Sequence, residues 1–364
     1  MNWTPTDESA LRSHGVDPTE AWRWVQAARR GPPELDVQRA CRVGDGIVRL
    51  EPDSWAALEK RADDAIAAHR ASAFVPASGA ATRMGATGPK ALVPFHEVDG
   101  TWRTAFEEHC YEARALLGPD AHVHFTIPAG TRHAFDAIDV PVHTHFSVQD
   151  PATDVPAITL DGDIYRSDGV PLLRPGGHGA LVGNLQGTGG DLVFVRNIDN
   201  TVHPHHLGPI LQWRKRLLGK LLELEETHGR QRPLRVCGMV PNDGEPGGGP
   251  YWVDGHPQIV EAAQIRGSQR HLMSDATHFN PVEMVCSLVD DGGRPHDLHH
   301  YVDDGAYLVV TKNHGDDVIR AVERPGLWNG SMAGWRTVFV EIPAYCFHPV
   351  KHPDDLQRAA HQPA

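Results

Sequence analysis

Residues 72–90 read S-A-F-V-P-A-S-G-A-A-T-R-M-G-A-T-G-P-K, and the class of the fold turns on them. A short apolar run, 72–77, passes directly into Ser78-Gly79-Ala80-Ala81-Thr82-Arg83-Met84-Gly85, with Pro89-Lys90 just beyond. Small residues after a buried strand let backbone N–H groups approach a phosphate or a base. Arg83 and Lys90 add cationic donors where charge would develop on a phosphate. A tight turn carrying two surface cations has the same composition. A Walker A loop is excluded, because no G-x-x-x-x-G-K followed by Ser or Thr is present.

Working outward, short runs rich in Val, Ile and Phe recur between Gly, Pro and Asp: AHVHFTI, VHTHFSV, DLVFVRN, LRVCGMV, PVEMVCSLV, AYLVVT and TVFVEI. Two helical patterns interrupt them, RTAFEEHCYEARALL and LGPILQWRKRLLGKLLELEETHG. Apolar strands alternating with helices predict an α/β fold with a mostly parallel central sheet covered on both faces, whose ligands gather at the carboxyl ends of the strands. Residues 1–70 read as a helical N-terminal extension, from AWRWVQAARR and from PDSWAALEKRADDAIAAHR with Asp53 or Ser54 as N-cap. Residues 71–364 read as one catalytic domain whose C-terminal segment belongs to it.

Composition narrows the function. The 364 residues suffice for a large buried core, and 36 Gly with 29 Pro indicate many turns. A net charge of −13 opposes non-specific binding to nucleic acid but permits a small anionic substrate in a cleft that concentrates a few cations. The 5 Cys are scattered, with no C-x-x-C pair, which fits a reducing cytoplasm. The stretch MNWTPTDESALRSHG lacks the features of a signal peptide, and no apolar run approaches the length of a spanning helix, so a soluble cytoplasmic protein with no membrane partner is expected.

The motif A-S-G-A-A-T-R-M-G followed by P-K resembles the signature loop of nucleotidyltransferases that make UDP-sugars, and further motifs follow in the same order as in the UDP-glucose and UDP-N-acetylhexosamine pyrophosphorylases. Phe146, Gln149 and Asp161-Gly162 lead into Arg174-Pro175-Gly176-Gly177-His178-Gly179, similar to that group's P-x-G-H-G element. Asn197-Ile198-Asp199-Asn200 resembles its V-D-N, Glu261-Ala262-Ala263-Gln264-Ile265 its E-x-A-Q-V, and Phe347-His348-Pro349-Val350-Lys351 its F-x-P-V-K. The phrases P-A-S-G-A-A-T-R-M, R-P-G-G-H-G-A-L, E-P-G-G-G-P and G-L-W-N-G are also similar to those of a bacterial protein family without an assigned activity.

The resemblance implies a nucleotide-diphospho-sugar transferase-like fold and an enzyme that joins a nucleoside triphosphate, UTP favoured, to a sugar 1-phosphate with release of pyrophosphate. It implies that the backbone of Ala77, Ser78 and Gly79, with Gln149, Gly177 and His178, holds the nucleotide; that Asn200, Glu261 and Asn280 meet the sugar; and that Lys351 meets a phosphate beside Arg83 and Lys90. Gln149 has both the donor and the acceptor that suit the edge of uracil. Asp199, just after an apolar strand, is a candidate ligand for Mg²⁺ or Mn²⁺ and equally a turn-capping Asp. Position 81 departs from the signature, with Ala where it has Gly, and the spacer before Pro89 is short.

Two other readings compete. Asp161-Gly162-Asp163 superficially resembles the D-x-D of glycosyltransferases that use a finished nucleotide-sugar, although DG between I-T-L and I-Y-R predicts a hairpin turn. A non-catalytic nucleotide-sugar sensor would keep the pocket without turnover, but base binding alone does not need Arg83, Lys90, Asp199 and Lys351 together. The clusters His143/His145 and His203/His205/His206 invite a transition-metal site, yet no zinc-type spacing accompanies them, and the second reads as a polar loop entering a helix. The Gly-rich segments around 245–250 and 326–330 suggest loops that close over a ligand.

Overall fold

The computed structural model describes residues 3–242, 244, 248–265 and 267–363; three residues of the E-P-G-G-G-P phrase, 245–247, lie outside the described residues. The centre is a nine-stranded sheet. In chain order its strands are β1 (Arg42–Val43), β2 (Gly46–Val48), β3 (Ala71–Pro76), β4 (His122–Thr126), β5 (His143–Ser147), β6 (Leu192–Val195), β7 (Leu234–Pro241), β8 (His278–Ser287) and β9 (Arg336–Glu341). They lie side by side as β1-β2-β9-β7-β8-β6-β3-β4-β5. Every neighbouring pair is parallel except the two made by β8, which runs against β6 and β7. The start of β8 therefore lies at the same edge as the carboxyl ends of the other strands.

Helices α1 (Pro5–Ser13), α2 (Pro18–Arg30), α3 (Pro52–Ala67), α4 (Ala105–Leu117) and α5 (Leu207–His228) complete the frame. Thr104 and Glu107 form a capping box that starts α4, each side chain satisfying a backbone N–H of the first turn. One sheet face packs against α3, α4 and α5 through Leu58, Ala62, Phe106, Cys110, Leu218 and Leu221. The other is covered by irregular segments, with Phe74, Val193, Met239, Met284 and Phe339 meeting Leu181, Leu298 and Leu327. Strands buried on both faces read as continuous apolar runs, which is why the sequence pattern located them.

The expected helical extension over 1–70 needs correction. Helices α1, α2 and α3 are there, but β1 and β2 from this region form one edge of the central sheet, and Val37–Ala40 pairs with Gly249–Val253. These strands are only two to four residues long, too short to show a period of two. The N-cap of α3 is Glu51 instead of Asp53 or Ser54; the Ser54 hydroxyl bonds back to the Glu51 carbonyl at 2.7 Å. The A-Y-L-V-V-T run also departs from expectation. Leu308–His314 lies in a separate antiparallel sheet with Asp317–Glu323 and Ile158–Thr159, where Ile158 and Val322 join the core of α1 and α2.

Candidate active site

β3 delivers the Gly-rich loop to the carboxyl edge of the sheet. The Ala77 N–H extends the ladder to the Thr126 carbonyl at 2.9 Å, leaving Ala77 buried and Ser78 and Gly79 exposed. The loop closes on itself: the Ala81 N–H donates to the Gly88 carbonyl at 3.0 Å and the Lys90 N–H to the Gly79 carbonyl at 2.8 Å. Gly88 has φ 95°, in the left-handed region that favours Gly. Ala81, where the resembling signature has Gly, has φ −84° and a buried side chain, so its methyl does not stand in the loop mouth. Arg83 projects from a 3₁₀ turn, exposed.

Lys90 turns inward and is only 8% exposed. Its Nζ meets Asp199 Oδ1 at 2.8 Å. Asp199 follows β6, and its carbonyl accepts the Val350 N–H at 3.0 Å, which lays the F-H-P-V-K segment beside it and makes Lys351 the next residue. The Lys351 and His352 N–H groups both donate to the Asp355 carboxylate, at 2.7 and 2.8 Å. Three chain segments separated by more than a hundred residues thus carry Lys90, Asp199 and Lys351 to one place.

Asn200, expected to meet the sugar, is fully engaged elsewhere. Its Oδ1 accepts the His348 N–H at 2.9 Å, while Nδ2 donates to the Cys346 carbonyl at 3.1 Å and to Glu283 Oε1 at 3.3 Å. It is a buried clamp on the C-terminal segment. Beneath it lies an ionic cluster the sequence reading missed. Arg196 pairs with Glu283, and Arg214 bonds Glu283 at 3.2 Å and Glu112 at 3.1 Å. Burial alone would raise the Glu112 carboxyl, but Arg214 and Arg196 outweigh it and hold it below its ordinary range. Burial, reinforced by Arg214, pushes Arg196 down to about 9. These partners come from α4, the residue after β6, α5 and β8, so no local spacing reveals them.

The P-G-G-H-G element owes its glycines to packing. A Cβ on Gly179 would lie 2.0 Å from the Pro325 carbonyl oxygen, and one on Gly177 3.1 Å from Glu323. His178 Nδ1 accepts the Leu327 N–H at 2.9 Å and its ring stacks on Trp328 with centroids 4.2 Å apart. Burial lowers its pKa to about 4, leaving a neutral imidazole that anchors residues 326–330. From that segment Asn329 Nδ2 reaches Glu261 Oε1 at 3.3 Å, and burial raises the Glu261 carboxyl. Asn280 is buried, its Oδ1 accepting the Val282 N–H at 3.1 Å and its N–H donating to the Gly248 carbonyl at 3.0 Å. Val282 has φ 61°, an outlier for a β-branched residue, and lies between Asn280 and the buried Glu283.

Gln149, two residues past β5, donates Nε2 to Thr153 Oγ1 at 3.2 Å and to Asp154 Oδ1 at 3.0 Å. Arg324 then links the Thr153 carbonyl to the Gly176 carbonyl. A path of contacts thus runs from Gly79 through Lys90, Asp199 and Asn200 to Glu283, while Glu261 and His178 are tied separately to residues 327–329 and Arg83 stands exposed on its turn. Asp161 and Asp163 are not on that path. They form an exposed turn with Gly162 at φ 91°, held by Arg29 of α2 on the Gly162 carbonyl at 2.8 Å. His143 and His145 project from the same exposed face of β5, where His122 Nδ1 and His145 Nε2 are 2.9 Å apart. Among the described residues, no group of three His, Cys, Asp or Glu side chains is arranged to hold a metal ion, and no helix is long and apolar enough to cross a membrane.

The chain superposes on solved UDP-sugar pyrophosphorylases. The UDP-N-acetylglucosamine pyrophosphorylase of Trypanosoma brucei, solved with an inhibitor, superposes with a TM-score of 0.63 at 17% identity, covering 99% of this chain and 78% of that one. A variant UDP-glucose pyrophosphorylase of Leishmania major, solved with UDP-glucose, superposes with a TM-score of 0.56 at 16% identity, covering 96% of this chain and 77% of that one. The fold is therefore that of the pyrophosphorylases. By sequence the chain belongs to the family described as a domain of unknown function (DUF4301), whose model matches residues 4–87, 85–230 and 227–362. No curated protein matches the chain by sequence.

Proposed function

We propose that this protein is a nucleotidyltransferase that joins a nucleoside triphosphate, UTP by preference, to a sugar 1-phosphate and releases pyrophosphate. The observation that carries the reading is the junction of Lys90, Asp199 and the Lys351 segment beside the Gly-rich loop, at the sheet edge where α/β folds bind ligands.

In this reading an oxygen of the sugar 1-phosphate attacks the α-phosphorus in line, a new P–O bond forms, and the bond to the bridging oxygen of pyrophosphate breaks. The attacking phosphate is already ionised at neutral pH, so no protein nucleophile or general base is needed. The backbone of Ser78 and Gly79 receives the nucleotide, and Arg83, Lys90 and Lys351 neutralise charge on the phosphates. Asp199 offers a single, partly exposed carboxylate. That suits Mg²⁺ or Mn²⁺, which take one or two protein oxygens and complete their shells from phosphate and water. A metal held there would neutralise phosphate charge; Lys90, which now pairs with Asp199, would then turn its ammonium to the substrate.

The test is pyrophosphate release measured with Mg²⁺ across the common triphosphates and a panel of sugar 1-phosphates. A signal that needs both substrates and disappears in Lys90→Ala is expected. Nucleotide binding without release over the whole panel would sink the transferase reading in favour of a sensor.

A further inference from the structure

Residues 353–362, which follow Lys351, dock through imidazoles that the proposed chemistry does not use. His361, from the 3₁₀ turn Ala359–His361, is 2% exposed and lies with its Nδ1 2.9 Å from Nε2 of His96, their ring planes 19° apart with centroids 5.2 Å apart. His96, on the strand Pro94–Val98, is 1% exposed, and its Nδ1 lies 3.0 Å from Glu108 Oε1 of α4. The next link is backbone: the His203 N–H donates to the Ala360 carbonyl at 2.9 Å, and His203 Nε2 meets the Glu97 carbonyl. His206 Nε2 lies 3.1 Å from the Gln362 carbonyl.

A hydrogen bond between two imidazole nitrogens requires one of them to lack a proton. In the row Glu108, His96, His361, one proton shared between His96 Nε2 and His361 Nδ1 makes the bond between the rings, and burial raises the Glu108 carboxyl beside them. A second proton leaves His96 Nε2–H facing His361 Nδ1–H, so the bond is lost and two cations adjoin in a dry site. Asp355 is the other carboxylate facing His361, but it is occupied by the Lys351 and His352 N–H groups and by Arg358 at 2.8 Å. Basic groups also act on these side chains: His348 and Arg358 toward His361, Arg103 toward Glu108, and His205 and His206 toward His203. Glu112 adds negative charge toward Glu108, and it is paired with Arg214 and Arg196.

We propose that Glu108, His96 and His361 form a proton-sensitive latch that docks residues 353–362, and so positions Lys351 at the candidate active site; the link to Lys351 rests on the functional reading above. Acidification opens the latch. The sign follows from burial, which depresses His361 to about 3, with His96 and His348 adding to the effect. The undocked segment, with ordinary histidine near ~6.5, takes up the extra proton, so docking is complete above about 6.5 and weakens up to tenfold per pH unit below it for each proton gained. His361 is thus a positioning residue acting through the backbone.

Hydrogen exchange on the full-length protein, corrected for intrinsic rates, tests the latch without needing turnover. Between pH 7.5 and 5.5, amides of 353–362 are expected to lose at least tenfold in protection while those in the middle of α5 do not. His361→Asn, which keeps a hydrogen-bonding side chain but cannot titrate, should reduce that change to less than threefold. Unchanged protection of 353–362 in the unmodified protein, or an equal pH response in His361→Asn, would overturn the latch. A protein that shows the exchange response but no pyrophosphate release with any substrate pair would retain the latch and lose only its proposed purpose.

Discussion

Lys90 is the residue on which most converges. Its backbone closes the Gly-rich loop, and its ammonium, almost wholly buried, faces Asp199. Replacing it with Ala removes a preorganised charge from the proposed phosphate site, and a fall in kcat of about 10² to 10³ is expected in the pyrophosphate-release assay. Lys351→Ala should fall in the same assay without changing the fold seen by circular dichroism, because the backbone bond from residue 351 to Asp355 is retained. Glu283 poses the opposite case. It touches no expected substrate group, but Arg196, Arg214 and Asn200 all lean on it. Glu283→Ala leaves two buried guanidinium groups short of a counter-charge, so a loss of about 3–5 kcal/mol is expected in urea unfolding. Asn200 could be read as a ligand residue from its motif; only its three hydrogen bonds show that it clamps the C-terminal segment.

At the scale of elements, α5 is the longest helix described, with 22 residues, and it contains Gly219 at its middle. A Cβ there would lie 2.0 Å from the Leu58 carbonyl oxygen of α3, so the glycine is what lets the two helices cross closely. Gly219→Ala should cost about 1–3 kcal/mol in thermal unfolding as the helices are forced apart. Gly208→Ala, in the first turn with nothing near its Cβ, should be neutral or gain about 0.5–1 kcal/mol. The length of α5 was readable from its sequence pattern, since its apolar positions recur with a helical period. The crossing was not, because a glycine within a helix reads as a weak point until its neighbour is known. The same holds for Gly177 and Gly179, whose apparent motif character includes a plain steric demand from 323–325.

Across the whole molecule, burial depresses several imidazoles at once: His109 and His178 to about 4 and His361 to about 3. Each binds a proton more readily in the unfolded chain, whose histidines titrate near ~6.5. Their stabilisation is therefore complete above that pH and shrinks as pH falls toward the folded values. Each contributes a slope of up to about 1.4 kcal/mol per pH unit. Urea midpoints measured from pH 7.5 to 4.5 should fall steadily below about 6.5; a flat profile would mean that these rings stay accessible. The buried cysteines are inert by the same physics, since burial raises the thiols, Cys237 to about 11.

The sequence by itself determined the α/β class and the three local motifs at 77–90, 196–200 and 347–351, because a buried parallel strand announces itself as an apolar run and a tight loop as a cluster of small residues. It placed the Asp161 turn through its D-G pair. Tertiary structure alone decided that β8 runs against its neighbours, that β1 and β2 from the supposed helical preface close the sheet edge, and that Lys90 meets Asp199. It also decided the clamp at Asn200 and the histidine row behind Lys351. Those arrangements join residues tens to hundreds of positions apart, where the selecting force is desolvation and hydrogen-bond satisfaction in a shared interior. That force leaves no period or spacing in the chain to be read.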